Sequence, residues 1–247
     1  MNKELFIKKY LERIKYNYDV FIDITTLKRI QRQHLLTIPF ENLDIISNKR
    51  LEFDINKLFV KIIGEKRGGI CYELNGLLFH LLKEIGFNVK YISAKIFKNG
   101  NVFDHVFLIV NLNDKEWMVD VGFGDNFLEP IKFVVDEIQR DSKGYFKIIK
   151  DENGDFQLLK LSNESEHSMY TFTLKERSLE DCKERCLYFE TSDMSIFRKG
   201  RMCSIEKENG RVSLTDDKLI ITENGERIVK EITNKNEFQD NLKLLFN

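Results

Sequence analysis

The stretch that decides the fold is Arg67-Gly68-Gly69-Ile70-Cys71-Tyr72-Glu73-Leu74-Asn75, because a strongly helical pattern follows its two glycines. Apolar residues then recur at helical spacing, as Leu74, Leu77, Leu78, Leu81, Leu82 and Ile85. Gly86 follows this stripe at a position where glycine commonly ends a helix. The sequence therefore predicts a long amphipathic helix with Cys71 in its first turn.

The segments on either side of this helix differ in character. Upstream, helical spacing is seen around residues 6–14, 27–34 and 54–63. Downstream, strands are predicted at 88–97, 103–112, 116–121, 145–149, 156–160, 169–174, 211–215, 218–222 and 226–232, with helices at 179–186 and 237–246. Helices followed by antiparallel strands and then mixed elements indicate an α+β fold. We expect three regions, at 1–86, 87–191 and 192–247.

The composition excludes several classes of protein. The 247 residues carry a net charge of -1 and are 42% hydrophobic, which predicts a packed globular protein without a basic face for nucleic acid. No apolar run approaches the length of a membrane span, and the charged segment Met1 to Tyr10 resembles neither a signal peptide nor a membrane anchor. We therefore expect a cytoplasmic protein whose four cysteines are free thiols.

Cys71 is the strongest candidate for a reactive group. The start of a helix lowers the pKa of a thiol and favours the nucleophilic thiolate, and backbone N–H groups there can hold an oxyanion. Gly68 and Gly69 would let a substrate approach the backbone closely. A buried structural cysteine is about as probable from position alone. Cys182 and Cys186 have only His167 nearby, so no metal site is predicted.

A thiol nucleophile needs a base, and the chain contains four histidines. His80 lies nine residues beyond Cys71 on the same helix, about 13 Å along the axis, and cannot reach the thiol. His34 has a structural position on an amphipathic helix, and His167 lies in a polar segment. His105 remains, although a lone histidine in an apolar strand is more often a core residue than a catalyst.

The predicted hairpin provides a partner for His105. With a loop of two or four residues, Asp120 pairs across from Phe107 or its neighbour, and His105 and Asp120 share one face. A loop of three or five residues would separate them. A carboxylate at Asp120 among apolar residues also needs a partner. This pattern predicts a Cys-His-Asp enzyme, without choosing between acyl transfer and hydrolysis.

Four motifs resemble those of the arylamine N-acetyltransferases. They are the Arg67–Asn75 stretch, Ile38-Pro39-Phe40-Glu41-Asn42-Leu43, Asp120-Val121-Gly122-Phe123-Gly124 and Tyr10-Leu11-Glu12-Arg13-Ile14. The resemblance extends in order from about Tyr10 to about Gly124. Beyond Pro130 it weakens, and Ser195-Ile196-Phe197 is a partial match.

The resemblance implies a helical bundle, a central antiparallel β-barrel and a C-terminal α/β lid, with a cysteine-protease-like core. It also implies a ping-pong reaction in which acetyl-coenzyme A acetylates Cys71 and an arylamine, arylhydrazine or hydroxylamine then accepts the acetyl group. Cys71, His105 and Asp120 match the family's triad. Phe123, Phe40, Phe197 and Gly124 are the implied substrate-binding residues, and Arg13 and Glu41 match a supporting polar cluster.

Two positions depart from the family pattern. Lys95 stands where the family often has arginine, which loses the bidentate fork and makes Lys95 a candidate for altered substrate preference. Lys15 stands where a glycine is common. Two alternatives stay open: an amide synthase or a thioester or amide hydrolase using the same triad, and a non-catalytic binding protein in which the triad is a buried polar cluster.

Overall fold

Helices form the N-terminal region, and they bury the apolar stripes predicted above. The computed structural model describes residues 2–96, 99–162 and 165–246. The helices of this region are α1 (Lys3–Arg13), α2 (Ile24–Thr37), α3 (Leu43–Ile46), α4 (Ile55–Phe59), which continues as a π-helical turn at Val60–Gly64, and α5 (Cys71–Ile85). No helix within the described ranges is long and apolar enough to cross a membrane.

The central helix α5 confirms the pattern from which the fold was predicted. Every residue from Cys71 to Leu78 is buried, as are Leu81 and Leu82. Gly86 ends the helix with a φ of 114°, a left-handed conformation that glycine adopts without steric cost. At the other end, the Glu73 carboxylate accepts a hydrogen bond from the N–H of Ile70 at 3.3 Å. These contacts fix the position of the helix start.

A nearly closed antiparallel sheet follows α5. Its strands are β2 (Asn88–Lys95), β3 (His105–Leu112), β4 (Lys115–Val119), β5 (Ile131–Lys132), β6 (Ile138–Asp141), β7 (Gly144–Lys150), β8 (Phe156–Leu161) and β9 (Glu166–Arg177). The sheet order is β5-β4-β3-β2-β9-β8-β7-β6. Between its two edges, the Gln139 side chain donates to and accepts from the Lys132 backbone at 2.8 and 2.7 Å. The barrel implied by the resemblance is confirmed; β5 and β6 were not predicted. Phe97, predicted to end a strand, lies outside the described residues.

The hairpin of β3 and β4 has the register that brings the predicted partners together. Leu108 pairs with Val119 and Leu112 pairs with Lys115, so the loop consists of Asn113 and Asp114 alone. Both loop residues have positive φ, at 52° and 58°, as the tight hairpin turns require. Continuing the register by one step places Asp120, the residue after β4, opposite Phe107. His105 is therefore its diagonal neighbour on the same face.

Side chains of β3 alternate between two hydrophobic cores. Val106, Leu108 and Val110 pack with the helical region, whereas Phe107 and Ile109 face the barrel interior. Position 105 belongs to the second series, so the imidazole lies on the face of β3 that is turned towards the barrel interior.

The C-terminal region combines short helices with a second sheet. Its elements are a 3-10 turn (Glu180–Cys182), α6 (Lys183–Thr191), a second 3-10 turn (Ile196–Arg198), strands β10 (Met202–Lys207), β11 (Gly210–Thr215), β12 (Lys218–Glu223) and β13 (Glu226–Glu231), and α7 (Lys235–Phe246). Strand β10, which was not predicted, pairs with the two-residue strand β1 (Phe40–Glu41) of the N-terminal region. This pairing attaches the C-terminal sheet beside the start of α5.

Candidate active site

Cys71 is the first residue of α5, and it lines a cavity of about 230 Å³. The residue is 3% exposed. Gly122 lies directly against it, because a Cβ atom at position 122 would stand 2.5 Å from Cys71 Cα and 2.8 Å from Cys71 Cβ. His105 lines the same cavity. The cavity thus joins the start of the helix to the two segments that carry His105 and Asp120.

The two glycines that precede Cys71 have a different role from the one expected. A Cβ atom on Gly68 would lie 1.9 Å from the carbonyl oxygen of Pro39, and one on Gly69 would lie 2.5 Å from a Glu73 carboxylate oxygen. Both positions therefore require glycine for internal packing, and neither lines the cavity. The expectation that they give a substrate access to the backbone was wrong. Gly122 is the glycine that allows the loop after Asp120 to pack closely against Cys71.

His105 and Asp120 form a buried pair. His105 Nε2 lies 2.8 Å from Asp120 Oδ2, and both residues are 1% exposed. The contact uses one ring nitrogen and leaves Nδ1 for another partner. Aromatic rings of Phe123 and Tyr170 pack on the imidazole with centroid separations of 5.0 and 5.1 Å. The orientation of the ring is therefore fixed from two sides.

Asp120 accepts more hydrogen bonds than the histidine alone provides. Besides His105, the donors to its carboxylate are the Asn126 amide at 2.9 Å, the Gly122 N–H at 2.9 Å, the Asn75 amide at 3.1 Å and the Tyr170 hydroxyl at 3.3 Å. Each oxygen has at least two donors, so these hydrogen bonds compensate for the loss of hydration of the buried carboxylate.

Asn75 connects the helix to the strands at this point. Its side-chain amide donates to Val106 O at 2.8 Å and to Asp120, and its Oδ1 accepts from Val121 N at 3.1 Å. It lies one turn beyond Cys71 on α5. Sequence reasoning noted Asn75 only as part of the motif, although a buried amide in an apolar stripe is itself a signal of a structural role. Asn126 and Tyr170 carried no such signal.

The electrostatic setting of the thiol is opposite to the one expected from a helix start. Burial raises the pKa of Cys71, and the negative charge of Asp120 raises it further. Backbone hydrogen bonding at Val106 and Tyr72 lowers the pKa but does not outweigh these effects. The raised pKa favours the protonated thiol, which becomes a nucleophile by losing its proton to a base.

A network of charged pairs surrounds the segment before Cys71, and it contains Glu41 of the two residues matched to a supporting polar cluster. Glu41 pairs with Arg67 at 2.7 Å rather than with Arg13. Arg13 instead donates to backbone carbonyl groups at Ile62, Thr37 and Lys66. Near the helix start, Lys61 bridges Asp44 and Glu73 at 2.8 and 2.7 Å. These pairs hold the segment before Cys71 against α3 and the π-helical turn.

The four pocket residues named from the sequence all line the cavity. Phe40, Phe123, Phe197 and Gly124 meet there, with the rings of Phe40 and Phe197 6.1 Å apart. Lys95 does not line it and lies instead in surface depressions beside Asp155 and Thr171. Sequence reasoning missed three polar side chains that strands β10 and β11 bring to the cavity, namely Ser204, Arg211 and Ser213.

The other three histidines lie apart from this cavity. His34 is buried and its Nδ1 lies 2.6 Å from the Tyr10 hydroxyl. His80 packs edge-on against Phe6, and His167 is exposed with its Nε2 2.8 Å from Ser165 Oγ. His105 is therefore the one histidine of the four that lines the cavity with Cys71.

Sequence comparisons identify related proteins over most of the chain. A family model described as N-acetyltransferase matches residues 23–247. The chain is 33% identical to the pineal gland isozyme of arylamine N-acetyltransferase from Gallus gallus over 86% of its length and 82% of that protein. It is 30% identical to proansamycin X synthase from Amycolatopsis mediterranei over 94% of both chains.

The fold also agrees with that of a solved structure. The arylamine N-acetyltransferase from Bacillus cereus, which has a Cys-His-Glu catalytic triad, superposes with a TM-score of 0.89 at 25% identity. The superposition covers 98% of this chain and 97% of that one. The helical region, the barrel and the C-terminal sheet are therefore shared in full.

Proposed function

The chain belongs to the arylamine N-acetyltransferase family and is a transferase, and from that premise we propose that it moves an acetyl group from acetyl-coenzyme A to an aromatic amine, hydrazine or hydroxylamine through Cys71. One observation carries this proposal. The buried thiol of Cys71 lines the same cavity as the imidazole of His105, whose Nε2 lies 2.8 Å from the Asp120 carboxylate. This is the arrangement that thiol nucleophiles require.

In the first half-reaction, Cys71 Sγ attacks the carbonyl carbon of the thioester as His105 Nδ1 takes the thiol proton. Asp120 holds the Nε2 proton and stabilises the imidazolium that forms. The tetrahedral intermediate then expels the thiolate of coenzyme A, which takes the proton back from His105. The products are acetyl-Cys71 and free coenzyme A, and charge is conserved within the cavity.

In the second half-reaction, the acceptor nitrogen attacks the acetyl-Cys71 carbonyl and transfers a proton to His105. Collapse of the intermediate releases the N-acetyl product, and the Cys71 sulfur recovers the proton from His105. Phe40, Phe123 and Phe197 supply apolar walls suited to a flat acceptor ring. The same base therefore serves both halves of the reaction.

An amide synthase is the second candidate function, and one observation favours it. The likeness to proansamycin X synthase extends over 94% of the chain at 30% identity, comparable to the likeness to the arylamine enzymes. Such an enzyme would form an amide from a larger acyl thioester with the same triad. The cavity of about 230 Å³ favours a small acceptor and an acetyl group instead.

Mass spectrometry of the intact protein tests the proposal. Incubation with acetyl-coenzyme A and no amine is expected to add one acetyl group, located at Cys71, and addition of 4-methylaniline is expected to remove it. Cys71→Ala abolishes the adduct. Cys203→Ala, which replaces another buried thiol that does not itself line the cavity, leaves it intact. Wild-type protein that stays unmodified, or whose adduct only hydrolyses, contradicts the proposal.

We also propose that the regions 1–86, 87–191 and 192–247 are the three domains of the enzyme, because the cavity lies where elements of all three meet. A cytoplasmic site of action fits this chemistry, since a reducing compartment keeps the nucleophile as a free thiol.

A further inference from the structure

Strand β13 leaves one edge of the C-terminal sheet open. It is the last strand in the order β1-β10-β11-β12-β13, and within the described residues it pairs with β12 alone. All six of its residues are exposed, among them Ile228 at 53% and Val229 at 49%. Its register with β12 is regular over its whole length, and the strand contains no proline. Such an edge offers unpaired backbone groups to a further strand.

Alternation along β13 determines which backbone groups point away from the sheet. Ile232 follows the strand directly and donates its N–H to Asp217 O at 2.8 Å, so the backbone at position 232 faces the neighbouring strand. In an antiparallel pair, residues bonded to the neighbouring strand alternate with residues whose N–H and C=O point away from it. The hairpin agrees, because Glu226 closes a two-residue turn opposite Glu223. The residues that direct both backbone groups outward are therefore Arg227, Val229 and Glu231.

The charges along this outward series are self-complementary. When two copies of β13 pair antiparallel about Val229, Arg227 of each copy lies opposite Glu231 of the other. The three outward residues of each strand then make six backbone hydrogen bonds. Pairing about Ile228 would make only four, because Glu231 would lie opposite Gly225 in the turn. The register centred on Val229 therefore satisfies both the backbone groups and the charges.

We propose that two copies of this chain associate through β13 and join their C-terminal sheets into one antiparallel sheet of ten strands. The pairing would cover part of the exposed side chains of Ile228 and Val229. One pair of strands buries less area than a permanently associated dimer needs, so association is weak and depends on protein concentration. No residue that lines the catalytic cavity lies on β13, so this inference is independent of the proposed transferase function.

Sedimentation velocity at low salt tests the charge pairing. Wild type is expected to change from monomer to dimer between about 10 μM and about 1 mM, the range of weak interfaces. Arg227→Glu places like charges opposite each other at both ends of the pairing, and Glu231→Arg does the same. Each should raise the dissociation constant roughly 10- to 100-fold. The double variant restores both ion pairs and should restore dimerisation. Circular dichroism checks that every variant is folded.

Lys230→Glu is the matched control, because it makes the same change of charge on the same strand as Arg227→Glu. In the proposed register Lys230 lies opposite Ile228 of the other copy, so the substitution should leave the dissociation constant within about threefold of wild type. In the register centred on Ile228, Lys230 lies opposite Glu226. Lys230→Glu would then be the disruptive change and Arg227→Glu the tolerated one, and that result overturns the proposed register.

A cysteine at the centre of the pairing tests the register directly. Two copies of Val229→Cys would lie opposite each other with Cα atoms about 5.5 Å apart, a distance that a disulfide spans. With diamide as oxidant they are expected to form a covalent dimer. Glu226→Cys on the same strand would lie about 20 Å from its copy and should stay monomeric, and the four native cysteines are buried.

Two results overturn the inference. The first is wild type that stays monomeric at about 1 mM, which is the outcome expected if β13 binds an extended segment of another protein instead. The second is a dimer that Arg227→Glu and Glu231→Arg retain with unchanged affinity, because its contacts would then lie on another surface.

Discussion

Gly122→Ala is the substitution that tests most directly how closely the loop after Asp120 packs against Cys71. The added methyl group would lie 2.5 Å from Cys71 Cα, 2.8 Å from Cys71 Cβ and 2.7 Å from Asn75 Nδ2. Two of these atoms belong to the first residue of α5, which cannot move without the helix. Asn75 is held by hydrogen bonds to Val106 O, Asp120 and Val121 N. Neither side of the contact can yield easily.

The size of the effect follows from the distances. Carbon atoms in contact normally lie about 3.5–4.0 Å apart, so the loop at Gly122 must move by about 1 Å. Such overpacking costs about 1–3 kcal/mol of the free energy of unfolding. A displacement of about 1 Å between reacting groups lowers a rate on the order of 100-fold. We expect Gly122→Ala to show both effects, with the larger one in the rate of Cys71 acetylation.

Two assays and one control separate the effects. Urea unfolding followed by the fluorescence of Trp117, the single tryptophan, reports stability. Single-turnover acetylation of Cys71 reports the rate. Gly124→Ala is the matched control, because its methyl group would meet only Arg211 Nη1, at an ordinary contact distance of 3.7 Å. If Gly122→Ala acetylates Cys71 within twofold of the wild-type rate at unchanged stability, the packing argument is refuted.

Three further substitutions test other parts of the structure. Asp120→Asn replaces an acceptor of five hydrogen bonds and should slow single-turnover acetylation roughly 10³- to 10⁴-fold without preventing folding, which circular dichroism checks. Burial lowers the pKa of His34 to about 3, so its contribution to stability is complete above the unfolded pKa near 6.5 and is lost as the pH falls. Between pH 7 and pH 5 this amounts to about 2 kcal/mol, which should disappear from urea titrations of His34→Gln but persist in His167→Gln. Lys15 has a φ of 56°, so Lys15→Gly should raise the free energy of unfolding by about 1 kcal/mol, whereas Lys8→Gly within α1 should lower it by a similar amount; equal shifts in the two variants would contradict the conformational explanation.

Local patterns in the sequence were sufficient to predict the helix and the hairpin that carry the triad. The stripe ending at Gly86 defined α5 because helical periodicity and a C-terminal glycine depend on neighbouring residues alone. The relation of His105 to Asp120 followed from strand alternation once a short loop was assumed. The structure has that loop, with Asn113 and Asp114 in left-handed conformations.

Features that depend on distant segments were not predicted. Strand β10 has its partner β1 about 160 residues earlier, since Phe40 pairs with Ser204. The wall formed by Arg211 depends on that pairing, because it fixes how the C-terminal sheet faces the loop at Gly124. No periodicity within β10 or β11 contains this information. The role of Arg67 as partner of Glu41 likewise depends on contact between separate segments.

Cys71 shows why a rule based on local sequence can predict the wrong direction for a pKa shift. A helix start lowers the pKa of a cysteine that is exposed there, but the same helix packs against β3 and buries Cys71. Burial then raises the pKa, and the carboxylate of Asp120 adds to the increase. The sequence alone could not reveal how deeply the helix end is covered, because residues of β3 and the Gly122 loop provide the cover.

The raised pKa of the Cys71 thiol and the hydrogen bonds of Asp120 together indicate where the protons of the triad lie before reaction. Asp120 accepts hydrogen bonds at both carboxylate oxygens, and the one from His105 uses the Nε2 proton. Nδ1 is then the unprotonated nitrogen. Because the buried thiol is stable with its proton, transfer to Nδ1 becomes favourable only as the sulfur bonds to an acyl carbon. Burial therefore favours the protonated thiol, and the hydrogen bond between His105 Nε2 and Asp120 leaves Nδ1 available as the base.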